Sequence, residues 1–130
     1  MINFTIKFQY GSPIYEQVVY AVKKAIVSGQ LKPGDRFPSV REMAKELRIN
    51  PNTAQKVVAH LAREGILEIK PGIGSVVSGL SIATKAQRDK ILNNEVEKLI
   101  VESKRLSIKR KEVMDAINRN WELDNEKGKK

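Results

Sequence analysis

The sequence predicts a mainly α-helical chain, in which three helices lead into a short β-hairpin and two further helices follow. Apolar residues recur at helical spacing over most of its 130 residues, and the spacing falls to about two around one glycine-rich turn, Pro71–Gly74. Apolar side chains make up 41% and charged ones 30% of the sequence, which is typical of a globular chain with one modest core. No apolar run approaches the ~20 residues that a membrane span needs, so we expect a cytoplasmic protein.

The chain is predicted to begin with a strand and a helix. Apolar and polar residues alternate from Ile2 to Tyr10, a pattern that favours a short strand. Pro13 then opens a helix that ends at Gly29. The apolar residues on one face of this helix are Ile14, Val18, Val22 and Ile26.

Two shorter helices follow, separated by a three-residue turn. Ser39 and Glu42 have the spacing of a capping box, which predicts a second helix from Ser39 to about Leu47. The third helix begins at Asn50, a natural N-cap, and stops at Gly65. Its inward face is expected to hold Ala54, Val57, Val58 and Leu61.

The remaining elements are a hairpin and two amphipathic helices. Two β-like runs over 66–70 and 75–78 flank the glycine-rich turn and predict the hairpin. Helices are then expected over about 83–106 and 107–123, each with an apolar stripe that it cannot bury alone. The stripes are Leu92, Val96, Leu99 and Ile100 on the first helix, and Val113, Ile117 and Trp121 on the second.

Two helices joined by a tight turn and followed at once by a hairpin form the layout of a winged helix-turn-helix. In this layout the later of the two helices, here the third predicted helix, enters the major groove of DNA. A net charge of +9 agrees with a polyanionic partner. The outward side chains at the start of the third helix can hydrogen-bond to bases or phosphates. They are Asn52, Thr53, Gln55 and Lys56. Each alone could be an ordinary solvent-facing residue, but their clustering on one turn favours DNA recognition.

The sequence offers no catalytic or metal-binding constellation. It has no cysteine, which excludes thiolate metal sites and cysteine nucleophiles, and its sole histidine is His60. Gly72–Gly74 lacks the lysine and the following helix of a phosphate loop. Because no nucleophile, base and orienting group can be named together, we predict neither an enzyme nor a cofactor or metal.

Four sequence blocks at fixed spacings carry a family resemblance. They read PIYEQV over 13–18, GQLKPGDRFPSVREMA over 29–44, INPNTA over 49–54 and LAREGIL over 61–67. These blocks resemble the GntR family of bacterial transcriptional regulators across residues 13–78. The resemblance implies a sequence-specific regulator whose partner is double-stranded DNA.

The resemblance also implies which residues contact DNA. In the family they lie in the Pro-Ser-x-Arg-Glu block, at the start of the recognition helix and at the wing tip. The matching positions here are Ser39, Arg41, Asn50, Asn52, Thr53, Gln55, Lys56 and Gly72. Many members have arginines where this chain has Pro51 and Gln55, so the base preference does not carry over.

The length after the wing points to one branch of the family. Most GntR-type regulators append a large effector domain, whereas two helices cannot enclose a metabolite pocket, so an effector is left open. The resemblance is therefore to the YtrA-like branch, whose two-helix tail serves dimerisation and whose members commonly repress operons for membrane transport. We expect a winged helix-turn-helix DNA-binding domain over 1–80, a two-helix dimerisation segment over 81–124 and a disordered charged tail over 125–130.

The sequence thus predicts a homodimeric repressor that binds an inverted-repeat operator. Exposed apolar stripes of the kind found on the last two helices usually mark an interface, and two copies would cover each other. The alternative is a winged-helix module that binds a protein or an effector and uses its basic charge for non-specific contact with nucleic acid alone.

Overall fold

The chain forms two compact units, Met1–Leu80 and Ser81–Asp124. The structure, a computed structural model, describes Phe4, residues 6–79 and residues 83–128; over 123–128 it describes the helical backbone alone. The first unit contains α1 (Ile14–Val27), α2 (Val40–Leu47), α3 (Pro51–Arg63), β1 (Leu67–Lys70) and β2 (Gly74–Val77). The second contains α4 (Lys85–Asp89), a π-helical segment (Lys90–Glu95), α5 (Val96–Arg105) and α6 (Arg110–Gly128) as far as Asp124.

The core of the first unit lies between its three helices and the sheet. The helix α3 packs against both α1 and α2, and also contacts β1. All four residues predicted for the inward face of α3 are buried. The side chains that lose all contact with solvent include Val18 and Val22 of α1, Met43 of α2, and Val57 and Leu61 of α3.

Local hydrogen bonds set the starts of α2 and α3, as the sequence predicts. The Ser39 hydroxyl accepts from the Glu42 backbone N–H, and Glu42 Oε1 accepts from the Ser39 N–H, both at 3.1 Å. The Asn50 Oδ1 accepts from the Asn52 N–H at 2.7 Å, directly before Pro51 at the first helical position. Between the two helices Arg48 adopts a left-handed conformation with φ of 55°, which ends α2 and turns the chain.

The hairpin forms a two-stranded antiparallel wing. Its strands pair from Leu67 with Val77 to Lys70 with Gly74. The loop before α2 lies along β2, since the Phe37 N–H donates to the Ser75 carbonyl and the Val77 N–H donates to the Asp35 carbonyl, both at 2.8 Å. The mainly α, winged-helix fold class is thereby confirmed.

The predicted amino-terminal strand is wrong for the residues described. Phe4 and residues 6–9 form no strand, and Met1, Ile2, Asn3 and Thr5 lie outside the described residues. Phe4 instead packs into the core, with its ring stacked on Phe37 at 6.1 Å. The Gln17 side chain bonds both the N–H and the carbonyl of Gln9 at 2.9 Å, so side-chain contacts take the place of a strand partner.

The second unit departs from the predicted pair of regular helices. In the predicted first helix, the Val96 N–H bonds the carbonyl of Ile91 five residues earlier, which is the π-helical pattern. The helix α6 extends to Gly128, past the predicted end at Leu123. It therefore includes part of the segment that was predicted to be a disordered tail. This segment contains Glu and Lys, which are good helix formers, and it contains no proline that would end the helix. Lys129 and Lys130 lie outside the described residues.

Within the described ranges, no helix is long and apolar enough to cross a membrane. The same ranges contain no cluster of three or more histidine or acidic side chains that could hold a metal ion.

Candidate nucleic-acid interface

The start of α3 presents polar side chains on the face opposite its buried one. Asn52, Gln55 and Lys56 are exposed, and Thr53 is half-buried. The first turn carries no acidic residue, so the partial positive charge of the helix N-terminus is not neutralised there. This end of α3 therefore combines hydrogen-bonding groups with a potential that attracts phosphate.

Two of the predicted contact residues also shape their own helices. The cap at Asn50 uses the Oδ1 atom, which leaves the amide Nδ2 as the group that Asn50 can offer to DNA. Ser39 accepts a hydrogen bond through its hydroxyl oxygen, and the hydroxyl proton stays available as a donor. Hydrogen bonds from the Ser39 backbone and side chain lower the pKa of Glu42 below its ordinary value, so this carboxylate stays ionised within the cap.

Arg41 lies in the first turn of α2, the helix that packs on α3. Its side chain is exposed, and as the second residue of the helix it takes no part in the capping box. The guanidinium is a planar fork with five N–H donors, suited to a phosphate or to the edge of a guanine.

Gly72 lies at the tip of the wing, where the backbone needs a conformation that side chains rarely adopt. Its φ is 78°, and a Cβ at this position would meet no atom within 4 Å. Glycine is thus required here because of the backbone conformation and not because a side chain would lack space. The absence of a side chain also leaves the backbone at the tip open to close approach by a ligand. Lys70 and Ile73 on either side are exposed.

Sequence reasoning missed an arginine that braces the wing. Arg36 forms an isolated β-bridge with Val76, and its Nη2 donates to the Ile73 carbonyl at 3.2 Å. The contact joins residues 37 positions apart. Although Arg36 lies in a family block and Ile73 in the glycine-rich turn, local spacing cannot show that two residues so far apart in the sequence are in contact.

Sequence reasoning also missed a tyrosine that contacts α3 from α1. The Lys56 Nζ lies 4.1 Å from the centroid of the Tyr15 ring. The same ring meets His60 edge-on, with centroids 6.3 Å apart. Tyr15 was part of a sequence block that indicated the family, but helical spacing alone gave it no role.

The second unit gathers most of the predicted dimerisation residues at one cleft. A cleft of about 350 Å³ between α5 and α6 is lined mainly by apolar side chains. Of the seven predicted residues, five line it: Val96, Leu99, Ile100, Val113 and Ile117. Leu92 in the π-helical segment and Trp121 near the end of α6 are exposed and are not among its lining residues.

Comparisons with known proteins agree with this architecture. The family model for bacterial regulatory proteins of the gntR family matches residues 14–77. The HTH-type transcriptional repressor YtrA of Bacillus subtilis (strain 168) is 36% identical over 94 residues, which cover 72% of this chain and 72% of YtrA. The uncharacterized HTH-type transcriptional regulator YhcF of the same bacterium is 32% identical over 111 residues, 85% of this chain and 92% of YhcF. The chain belongs to the GntR family.

A solved structure supports the fold of this GntR-family chain along most of its length. The chain is similar to a transcriptional antiterminator from Listeria monocytogenes EGD-e, with a TM-score of 0.85 over 94% of this chain and 92% of that one. At 24% identity this likeness concerns the fold. The family and its relatives identify the chain as a YtrA-like transcriptional regulator with a DNA-binding domain, and not as an enzyme.

Proposed function

We propose that this GntR-family regulator is a homodimeric repressor, and that each copy places α3 in the major groove of one half of an inverted-repeat operator. The observation that carries the proposal is the division of α3 into two faces. Its inward residues are buried against the helices around it, while Asn52, Gln55 and Lys56 are exposed at its amino-terminal turns. A helix that reads DNA needs this combination of rigid support and free polar groups.

Within the proposed complex the exposed residues have different tasks. Asn52 and Gln55 carry amides that can pair with the edge of adenine, so they set base preference. Arg41 binds a phosphate or a guanine, and the backbone at Gly72 brings the wing against the duplex. Ser39, Asn50 and Thr53 hold the ends of the two helices against the sugar–phosphate backbone through their remaining hydrogen-bonding groups.

The homodimer is proposed from the cleft of the second unit. Val96, Leu99, Ile100 and Ile117 keep between 39% and 44% of their surface exposed, although they line one cleft. A second copy offers the same apolar surface and would cover it isologously. A twofold pair of winged helices then reads two half-sites about one helical turn apart, ~34 to 36 Å, or a multiple of that distance.

The biological role proposed is repression of an operon, with genes for a membrane transport system as the first candidates. YtrA is named a transcriptional repressor, and the resemblance to its branch supports the extension to this chain. A repressor of this kind acts where the bacterial chromosome lies, which places the protein in the cytoplasm.

The experiment that tests the proposal is selection of genomic fragments by the purified protein, followed by sequencing. We expect enrichment of one inverted repeat, bound at physiological salt despite a large excess of competitor DNA. A winged-helix module with charge-driven binding alone would enrich no motif, and its affinity would fall steeply with salt.

Two variants test where the recognition face lies. Gln55→Ala and Asn52→Ala should each relax one position of the selected half-site and change affinity for random DNA little, because an amide adds no charge. Gln30→Ala, which removes an exposed glutamine after α1, is the matched control and should leave the motif unchanged. If the motif is the same in all three variants, α3 is not the reading helix.

A further inference from the structure

We propose that Tyr15 of α1 is a positioning residue for DNA binding, which holds Lys56 of α3 so that its ammonium contacts a backbone phosphate beside the recognition helix. The inference rests on the proposed function and assigns a role to a tyrosine outside the helix that reads DNA. It starts from the distance of 4.1 Å between Lys56 Nζ and the Tyr15 ring centroid, which is within the range of a cation–π contact.

The contact restricts a long and exposed side chain. A lysine has four rotatable bonds and loses much rotamer freedom when it binds a phosphate from an exposed position. A ring that already holds the ammonium reduces that loss, because part of the ordering is complete before DNA arrives. Tyr15 is half-buried and Lys56 is exposed, so the ring is the better fixed of the two partners.

The ring is itself held by a chain of contacts along α3. Tyr15 forms an edge-to-face contact with His60, which lies one helical turn after Lys56. The His60 Nε2 is 2.7 Å from Glu64 Oε2, and the same oxygen is 3.2 Å from Lys23 Nζ of α1. The tyrosine is therefore fixed by both helices, and the position of Lys56 follows from the packing of α1 on α3.

A neutral ring leaves the lysine able to bind an anion. A carboxylate partner would neutralise the charge of Lys56, whereas the ring attracts the ammonium and leaves its charge intact. The ammonium has three N–H donors, so one side can face the ring while another donates to a phosphate oxygen. Lys56 lies one turn after Asn52 on the same strip of α3, which places its charge beside the proposed base-reading residues.

The test is a double-mutant cycle in the full-length protein, read as DNA affinity and as its dependence on salt. The probes are the selected operator and a labelled duplex of random sequence, because a phosphate contact acts on both. Lys56→Met should weaken binding to both probes and lower the salt slope by about one. Tyr15→Leu should weaken binding about two- to fivefold, and the same substitution should have no further effect when Lys56→Met is already present.

Three further variants separate positioning from general damage. Tyr15→Phe keeps the ring face and should restore the affinity of the parent protein. Tyr20→Leu removes an exposed tyrosine from the same helix, and Lys24→Met removes one exposed positive charge from it. Both variants should leave the coupling between Tyr15 and Lys56 in DNA binding unchanged. Thermal melts of every variant identify losses that come from unfolding.

The outcomes that would overturn the inference are distinct from failure of the proposed function. If Tyr15→Leu lowers DNA affinity by the same factor in the parent protein and in Lys56→Met, Tyr15 acts independently of Lys56 and is a purely structural residue. Tighter DNA binding by Tyr15→Leu would mean that the ring sequesters the lysine, and a salt slope that falls equally in Lys24→Met would indicate a bulk charge effect. If no operator is selected, the proposed function fails, and the random duplex still decides the cycle.

Discussion

The two units of the chain differ in how much of their apolar surface one copy can bury. In the first, every helix contributes side chains that lose all contact with solvent, and both strands contribute buried residues. In the second, among the residues whose side chains are described, Ser103 is the one buried residue, and the apolar stripes of α5 and α6 remain exposed except at the half-buried Val113. Amphipathic periodicity is present in both units, but the first alone supplies the complementary surfaces that complete a core.

This difference leads to the largest effect that we expect, the loss of operator affinity in a chain that ends at Leu80. The truncated chain keeps the core of α1, α2 and α3 and should retain its helical circular dichroism. It loses the surface proposed to join two copies, so the second half-site no longer benefits from effective concentration, and affinity should fall by about 10² to 10⁴. Sedimentation and operator binding check the result; a truncated chain that still dimerises and binds as tightly would contradict it.

A matched pair of leucine substitutions tests the comparison inside the full chain. Leu61 of α3 is completely buried, so Leu61→Ala should lower the free energy of unfolding by about 2–5 kcal/mol through lost packing and a cavity. Leu99 of α5 is 44% exposed, so Leu99→Ala should act mainly on dimerisation, with a loss that depends on protein concentration. Urea denaturation at two protein concentrations distinguishes the two. Equal, concentration-independent losses would mean that the second unit completes its own core.

The elements that sequence reasoning predicted best are those set by local chemistry. The starts of α2 and α3 follow from Ser39, Glu42 and Asn50, whose capping bonds join residues two or three positions apart. Helical periodicity also identified the buried face of α3, because the same residues remain neighbours in any helix.

The elements that it missed depend on distant residues. The alternating residues 6–9 resemble a strand, but whether they form one depends on a pairing partner, and here the Gln17 side chain and the core take that role. The contacts of Arg36 with Ile73 and of Tyr15 with Lys56 join residues 37 and 41 positions apart. Neither hydrophobic periodicity nor a capping pattern indicates such contacts. The fold was therefore more predictable from the sequence than the contacts that hold the candidate DNA-binding residues in place.

A smaller effect is expected within the first unit, where Arg41 is exposed and separate from the core. Arg41→Ala should therefore leave the free energy of unfolding nearly unchanged, in contrast to Leu61→Ala. It should weaken operator binding by about 1–3 kcal/mol if the guanidinium reads a base, or lower the salt slope by about one if it binds a phosphate. Binding isotherms at several salt concentrations separate these cases. Unchanged affinity and slope in the folded variant would remove Arg41 from the interface.

The smallest expected effect is the acid sensitivity of the contact between α1 and α3. Partial burial acts to raise the pKa of Glu64, but hydrogen bonds and charges from Lys23 and His60 outweigh it and lower the pKa below its ordinary value. A carboxylate with a lowered pKa stabilises the folded state above its unfolded pKa, about 4.3, and this contribution disappears as the pH falls through the folded pKa. Because the side chains of Lys23 and Glu64 are 45% and 41% exposed, the contribution at neutral pH should stay below about 1 kcal/mol.

Glu64→Gln measures this contribution, with urea denaturation followed from pH 7 to below pH 4. The variant should be less stable than the parent at neutral pH, and the two should converge in acid, where Glu64 is protonated in both states of the parent. Lys23→Met should remove part of the same increment and add little when combined with Glu64→Gln, because one contact is lost in both cases. A difference between parent and variant that is constant across the pH range would show that the carboxylate charge is not the cause.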